Sequence, residues 1–199
     1  MSTGICGGNY PAEIWPDVMR CIEERNLTDW IKLVYDNPPR RIKSPYFLLI
    51  DIHGFSKFCE RCARKSRKKK GDMKKIAGLL RAFFLKMSEH IHFRGGVCVK
   101  FIGDAILAVH NSKSQVIKLA NELLERYRKD FIKTYPKTDV VVMITHPREC
   151  LKGFVGGTGY VDYSYWAPGL NYLFTQTKKQ KEGHVYYVRR DGKAVPYDL

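Results

Sequence analysis

The most informative segment of the sequence is Tyr46–Phe55, which reads YFLLIDIHGF. Its apolar run has the length of one buried strand, and the glycine at its end predicts a turn into a helix. We expect the strand to end at Asp51 and the helix to begin at Ser56. A carboxylate such as that of Asp51 is costly to bury unless something positive pairs with it. The structural alternative is that Asp51 caps the helix.

A second aspartate lies at the tip of a predicted hairpin. The segment Val97–Val109 reads VCVKFIGDAILAV, and Gly103 and Asp104 separate its two apolar runs. For Asp104 alone, a turn residue is the ordinary explanation. If the hairpin and the first strand are neighbours in one sheet, however, the two carboxylates converge. Such a pair forms an oxygen-rich site for Mg²⁺ or Mn²⁺ and a bound phosphate chain.

The remaining segments predict a layered domain. Apolar residues at helical spacing indicate helices from Asp72 to about Arg94, from about Ser114 to Lys133, and after Pro168. Strands are expected at Val140–Thr145, in one stretch where residues 153–157 lead into residues 160–166, and at Val185–Val188. The order β-α-α-β-β-α-β-β-α-β predicts an α/β (α+β) sandwich, with helices packed over a mostly antiparallel sheet. Residues 45–199 form this domain, and residues 1–44 are predicted to be a separate helical extension.

Composition limits the class of protein. The 199 residues are 44% hydrophobic, as expected for a folded chain. No apolar run approaches the roughly 20 residues of a membrane span, and the N-terminus lacks the pattern of a secretory signal. We therefore expect a cytoplasmic protein with reduced thiols. The spacing of Cys59 and Cys62 occurs in zinc knuckles, but no second pair accompanies it, which favours two partly buried thiols.

The formal net charge of +15 is concentrated in the segment Arg61–Lys75. Such a run is typical of nucleic-acid or anionic-lipid binding, and also of a solvated loop that attracts a polyphosphate substrate. No zinc finger, helix-turn-helix or RNP-like strand accompanies it, so nucleic acid is disfavoured as the main ligand.

Three segments, taken in order, resemble the catalytic domain of the class III nucleotide cyclases. The family reads close to F-x-D-I-x-G-F, K-x-I-G-D and D-Y-T followed by V-N, and this chain has LIDIHGF from Leu49, KFIGDA from Lys100, DYS from Asp162 and LN from Leu170. The resemblance covers about residues 45–175. It implies a ferredoxin-like cyclase fold and a homodimer that converts a nucleoside triphosphate to a 3′,5′-cyclic monophosphate and pyrophosphate at its interface.

The resemblance also implies roles for particular residues. Two divalent ions, Mg²⁺ or Mn²⁺, would be held by Asp51, Ile52 and Asp104. Backbone N–H groups at the start of the first helix would bind phosphate oxygens, from Ile52, His53, Gly54 and Phe55. From the opposing subunit, Lys100 and Ser164 would read the base and Asn171 would orient the ribose.

The base-reading pair restricts the substrate. Guanine offers two N–H donors on one edge, whereas Lys100 can only donate, which disfavours GTP. Adenine, cytosine and uracil remain. Tyr165 and Trp166 narrow the pocket towards one-ring bases, unless they belong to the core. Small stand-alone pyrimidine cyclases of the Pycsar anti-phage type are similar in length and in lacking a sensor domain. We therefore expect UTP or CTP slightly ahead of ATP, with a second-messenger role in antiviral defence.

The chain departs from the family pattern at one catalytic position. Where relatives place an arginine that stabilises the α-phosphate, this sequence has Thr175. Lys178 or Lys179 is expected to replace it, with Lys178 as the catalytic candidate. Lys181 and Lys193 are the candidates for the γ-phosphate. Because of Thr175, a degenerate regulatory or nucleotide-binding subunit stays open as the alternative.

Overall fold

The computed structural model describes Lys32 and residues 35–66, 72–157 and 160–197, in two compact units. The first unit joins the described residues before Pro45 to residues 148–168, and the second contains residues 45–147 and those from Gly169 onward. Most of the helical extension predicted for residues 1–44 lies outside the described residues. The same is true of residues 67–71 in the basic segment.

The described residues form nine strands and four helices. In chain order these are β1 (Arg40–Ile42), β2 (Tyr46–His53), α1 (Phe55–Ser66), α2 (Asp72–Phe93), β3 (Val97–Ile102), β4 (Ala105–His110), α3 (Lys113–Asp130), β5 (Asp139–Thr145), β6 (Cys150–Gly157), β7 (Tyr160–Trp166), α4 (Leu170–Thr177), β8 (Val185–Val188) and β9 (Ala194–Pro196). None of the described helices combines the length and the apolar character needed to cross a bilayer.

The first unit is a three-stranded antiparallel sheet in the order β1-β6-β7. Strand β1 lies in the segment for which the sequence indicated only helices. It is three residues long and polar, so it carries no periodicity of its own. Its pairing with β6 defines it, with Arg40 opposite Lys152 and Ile42 opposite Cys150.

The second unit contains a six-stranded sheet in the order β3-β4-β2-β5-β8-β9. Every neighbouring pair is antiparallel except β5 and β8, which are parallel. The predicted mostly antiparallel sheet with packed helices is therefore confirmed. Strand β2 is central, and residues 47–50 and Ile52 are buried. A strand covered on both faces needs apolar residues at successive positions, which explains the continuous apolar run in its sequence.

Alternate residues of β2 face different layers. Leu48, Ile50 and Ile52 belong to the main core cluster, in which buried residues of α1, α2 and α3 also take part. Residues 47, 49, 51 and 53 therefore point to the other face. Helix α4 packs on β2 and β5, and its buried Leu173 lies outside that cluster. The sheet thus has a three-helix face and an α4 face.

Several boundaries differ from those expected. Strand β2 continues to His53, so that Asp51 lies within the strand and not at its end. Helix α1 begins at Phe55, and α3 ends at Asp130, three residues before Lys133. The helix ends at its C-cap residue Phe131, which is fully buried, and the N–H of Tyr135 then donates to the carbonyl of Phe131 at 2.8 Å in the turn that follows.

Gly54 joins β2 to α1 and is required there for two reasons. Its φ is +80°, and an added Cβ would lie 2.8 Å from the carbonyl oxygen of Lys137. Gly95 has a similar φ of +75°, but its nearest neighbour would be the His110 ring at 3.7 Å.

We predict that Gly54→Ala destabilises the protein by roughly 3 kcal/mol, because backbone strain and the overlap with Lys137 add. The matched Gly95→Ala variant carries only the strain and should cost about 1 kcal/mol. Urea unfolding of both variants measures the difference. Equal costs would show that the approach of Lys137 does not constrain this junction.

Candidate active site

Asp51 lies in the middle of the sheet, on its α4 face. It is directly opposite Ala105 of β4 on one side and Val141 of β5 on the other. It does not cap helix α1, because that helix begins only at Phe55. The structural alternative for Asp51 is therefore excluded, and a half-buried carboxylate is left within a central strand.

Asp104 occupies the two-residue turn between β3 and β4. Gly103 precedes it with φ +61°, and a positive φ at the first central position is the pattern of a type II′ hairpin turn. The carbonyl oxygen of Asp104 accepts a hydrogen bond of 3.4 Å from the N–H of Ile52. Because Ala105 is the partner of Asp51 in the ladder, the turn brings Asp104 beside Asp51.

The two carboxyl groups interact electrostatically. Burial, and secondly the charge of Asp104, raise the pKa of Asp51 to about 6. Burial also raises the pKa of Asp104. The positive charge of Lys178 lowers the pKa of both groups, and that of His53 acts in the same direction on Asp51. The site is therefore a pair of like charges, partly buried and only partly compensated by the protein.

The donor set fits a divalent cation. A doubly charged ion between two carboxylates with raised pKa values would stabilise their ionised forms. Oxygen ligands are also those that Mg²⁺ and Mn²⁺ prefer. No three His, Cys, Asp or Glu side chains come together as a metal-binding group in the described part of the chain. Such a pair resembles Mg²⁺ sites that use one or two carboxylates plus substrate phosphates. Ile52, predicted as a further ligand, has only its backbone oxygen to offer.

One of the four N–H groups predicted to bind phosphate already has a hydrogen-bond partner within the protein. The N–H of Ile52 is already used in the bond to Asp104, which anchors the hairpin turn to β2. The prediction for phosphate therefore rests on His53, Gly54 and Phe55, which lie between the end of β2 and the first turn of α1.

Lys178 lies directly after helix α4, and its charge acts on the aspartates of its own chain. The preceding residue, Thr177, is buried, and its hydroxyl donates to the carbonyl of Phe174 at 2.9 Å. This anchors the end of the helix. Helical spacing from Asn171 made Lys178 or Lys179 the candidate to replace the arginine of the family.

Lys100 reaches the α4 face because of a β-bulge. Cys98 pairs with Ala108 on the three-helix face, and uninterrupted alternation would put Lys100 on that face too. The register shifts between Cys98 and Lys100, so that Lys100 pairs with Leu107, which is opposite Leu49 of β2. One extra residue therefore directs Lys100 to the face that carries Asp51. Simple period-2 reasoning from the sequence misses this.

The other predicted residues are spread over both units. Ser164 is half-buried on β7 of the first unit, and Asn171 is exposed in the first turn of α4. Thr175 is exposed, and its hydroxyl donates to the carbonyl of Tyr172 at 3.3 Å. Having no charge, it cannot replace the arginine of the family.

The two candidate lysines for the γ-phosphate lie at opposite ends of the sheet. Strand β8 runs parallel to β5, with Val185 opposite Val142 and Val188 opposite Thr145. Asp51 pairs with Val141, so the start of β8 is at the Asp51 end. Lys181 precedes β8 and lies at that end, whereas Lys193 follows β8 and lies at the other.

Cys59 is a neighbour of the site that the sequence did not indicate. Burial raises its pKa, and the charges of Cys62 and Asp104 act in the same direction. The thiol, in the second turn of α1, is therefore close enough to Asp104 for its pKa to respond to that charge. The sequence predicted a helix in this segment, but it did not show which face of that helix is turned towards the β3–β4 hairpin.

We predict that Asp51→Asn stabilises the metal-free protein and abolishes its response to Mn²⁺. The carboxyl has a higher pKa in the folded state (about 6) than its ordinary value of 3.8, so the folded state binds more protons. Stability is therefore lost as the pH rises from about 4 to about 6, on the order of 3 kcal/mol, and the loss persists above. Asparagine removes this penalty and one metal ligand.

Thermal unfolding at pH 5 and pH 7.5, with and without Mn²⁺, measures both effects. Asp130→Asn is the matched control, since Asp130 pairs with Lys86 at 3.1 Å on helices α3 and α2. The control should keep the Mn²⁺-dependent rise in Tm. An equal rise in Asp51→Asn would show that the ion binds elsewhere.

Comparisons with known proteins find likeness at the level of structure. No family model and no curated protein sequence matches the chain. Among solved structures, the guanylyl cyclase Cya2 superposes with a TM-score of 0.63 at 17% identity, over 75% of this chain and 76% of that one. The adenylyl cyclase CyaB from P. aeruginosa gives 0.57 at 19% identity, over 76% and 79%.

A third neighbour is the guanylate cyclase domain of RhGC from Catenaria anguillulae, solved in complex with GTP. It gives a TM-score of 0.62 at 16% identity, over 75% of this chain and 80% of that one. All three are adenylyl or guanylyl cyclases, and the described α+β arrangement matches theirs. The predicted class III cyclase fold is thus confirmed: the chain has the fold of the catalytic domains of the class III nucleotide cyclases.

Proposed function

We propose that this protein is a nucleotide cyclase, which converts a nucleoside triphosphate to a 3′,5′-cyclic monophosphate and pyrophosphate. The observation that carries the proposal is the convergence of Asp51 and Asp104 within a cyclase fold. Two like charges that are only partly compensated destabilise a protein, and they are explained if a cation and a polyanionic substrate complete the site.

The reaction requires few groups from the protein. Asp51 and Asp104 would hold two Mg²⁺ or Mn²⁺ ions, which supply a lowered pKa for the ribose 3′-hydroxyl and charge neutralisation at the triphosphate. The 3′-hydroxyl gives its proton to solvent water and its oxygen bonds to the α-phosphorus, while the bond from that phosphorus to the bridging oxygen of the β-phosphate breaks. The electron pair leaves with pyrophosphate. The chain contributes mainly position and charge.

Lys178 is proposed to supply positive charge to the triphosphate. Its ammonium acts on both carboxyl groups of its own chain, so a phosphate chain bound at those groups would lie within its field. A lysine in this position offsets the missing arginine at Thr175 in charge, although it lacks the planar fork of a guanidinium.

The base and the ribose are proposed to be held by the second subunit of a homodimer, through Lys100, Ser164 and Asn171. The bulge that directs Lys100 to the α4 face supports this, because it keeps the ammonium out of the helix-covered core. A lysine donor disfavours guanine, and we propose UTP or CTP slightly ahead of ATP. A second-messenger role in anti-phage defence of the Pycsar type is the corresponding biological proposal.

A second candidate function is a nucleotide-binding regulatory subunit without turnover. Thr175 favours it, because losing one charge-stabilising donor costs on the order of 10²-fold in rate. The two intact metal-binding aspartates oppose it, since nucleotide binding alone gains little from them.

We predict that the purified protein, incubated with Mn²⁺ and with ATP, GTP, CTP or UTP separately, forms a cyclic monophosphate from one of the four. Mass spectrometry identifies the product, and pyrophosphate must appear in equal amount. Asp104→Asn should remove both products. No product from any nucleotide, in a protein that binds nucleotide, would favour the regulatory subunit.

We also predict that Lys178→Ala lowers kcat/KM by about 10²-fold, because a charge acting on the triphosphate is lost. Lys179→Ala is the matched control, since Lys179 is the adjacent exposed lysine, and it should change the rate by no more than about twofold. Steady-state kinetics with the preferred nucleotide measure both variants. Equal rates for Lys178→Ala and wild type would remove Lys178 from the proposed machinery.

A further inference from the structure

The segment that follows helix α4 borders the Asp51 end of the sheet. We call residues 178–184 the α4–β8 loop. It begins at Lys178, whose charge reaches the aspartate pair, and ends where Val185 pairs with Val142 of β5. The next residue of β5 towards its start, Val141, is the ladder partner of Asp51. The loop therefore forms one edge of the site.

Arg128 of helix α3 holds the far end of this loop. Its Nη2 donates to the carbonyl oxygen of Gly183 at 2.9 Å, and its Nε lies 3.6 Å from Oδ2 of Asp139. Asp139 is itself fixed, because its Oδ1 accepts a hydrogen bond of 2.8 Å from the N–H of Val140. One guanidinium thus connects the helix, the first residue of β5 and the loop.

The loop is fitted closely at this point. The N–H of Gly183 donates to the carbonyl of Val140 at 2.8 Å, and its φ of +79° is in the left-handed region. An added Cβ would overlap the Arg128 guanidinium and lie 2.9 Å from Oδ2 of Asp139. The guanidinium and the carboxylate both pack directly against Gly183. The backbone of the loop therefore has little freedom to move at this residue.

The loop also contacts the strand that carries Asp51. Glu182 lies next to Gly183, and its Oε2 is 3.4 Å from Nε2 of His53. His53 is the last residue of β2, opposite Asp139 in the ladder and two residues from Asp51. At the other end of the loop, buried Thr177 fixes the start. Lys178 and Lys181 are held between these two anchors.

We propose that Arg128 is a positioning residue for the triphosphate site: with Asp139 it clamps Gly183, so that Lys178, at the start of the α4–β8 loop, faces the phosphates held at Asp51 and Asp104. This inference rests on the proposed function in assigning a triphosphate to the site. Arg128 itself touches neither substrate nor metal. A merely structural role would be to stabilise the packing of α3 on β5.

The test uses inorganic tripolyphosphate with Mn²⁺ as the probe, so that binding is measured without turnover. Arg128→Met removes the clamp, and Arg128→Lys keeps the charge but loses the fork that bridges two partners. Lys129→Met is the matched control, an exposed neighbour on the same helix with the same change in charge. Calorimetry gives the dissociation constants in wild-type and Lys178→Ala backgrounds.

We expect Arg128→Met to weaken binding on the order of tenfold and Lys129→Met to leave it within about twofold, with Arg128→Lys between them. In the Lys178→Ala background the effect of Arg128→Met should largely disappear, because both act on the same contact. Hydrogen exchange of the Gly183 amide should quicken in Arg128→Met.

Three results would overturn the inference. The first is that the losses of affinity from Arg128→Met and Lys178→Ala multiply in the double variant. The second is that Arg128→Met binds tripolyphosphate as tightly as the wild type does. The third is that the wild-type protein does not bind tripolyphosphate at all. Failure of the proposed function looks different: the probe binds with the expected coupling, but no nucleotide is cyclised.

Discussion

The register of the central strand is the constraint on which the rest of the site depends. β2 is paired on both sides, and the pairing sets Asp51 opposite Ala105 and Val141. A slip of one residue would turn Asp51 into the helix-covered core and Ile52 out of it. Because residues of both faces are buried, the apolar pattern alone specifies this register only weakly. The hydrogen bond from Ile52 to Asp104 adds a specific contact at the end of the pair.

Bringing two carboxylates together opposes folding. Burial and mutual repulsion raise the pKa of Asp51 to about 6. At neutral pH the ionised carboxylate therefore lowers the stability of the folded protein. Lys178 and His53 reduce this repulsion without removing it. If a cation and a phosphate chain complete this site, as we propose, it is less stable empty than occupied.

Local irregularities supply the geometry that regular elements do not. The bulge before Lys100 moves one side chain to the other face of β3, and the left-handed Gly54 lets the chain leave β2 beside the backbone of Lys137. At the opposite edge, Gly183 admits the Arg128 guanidinium against Asp139. In each case a single residue changes either the direction of a side chain or the distance between two chain segments. Each of these residues lies next to a group of the proposed site.

The order of the main helices and strands, the mostly antiparallel sheet and the two aspartates could be predicted from the sequence, because apolar periodicity and turn residues are local properties. The sequence did not determine β1, which exists only through its pairing with β6, or the extension of β2 beyond Asp51. Nor did it reveal the bulge at Lys100, or that Lys178 acts on the aspartates of its own chain. These features depend on pairing and packing between residues far apart in the chain, which tertiary structure alone decided.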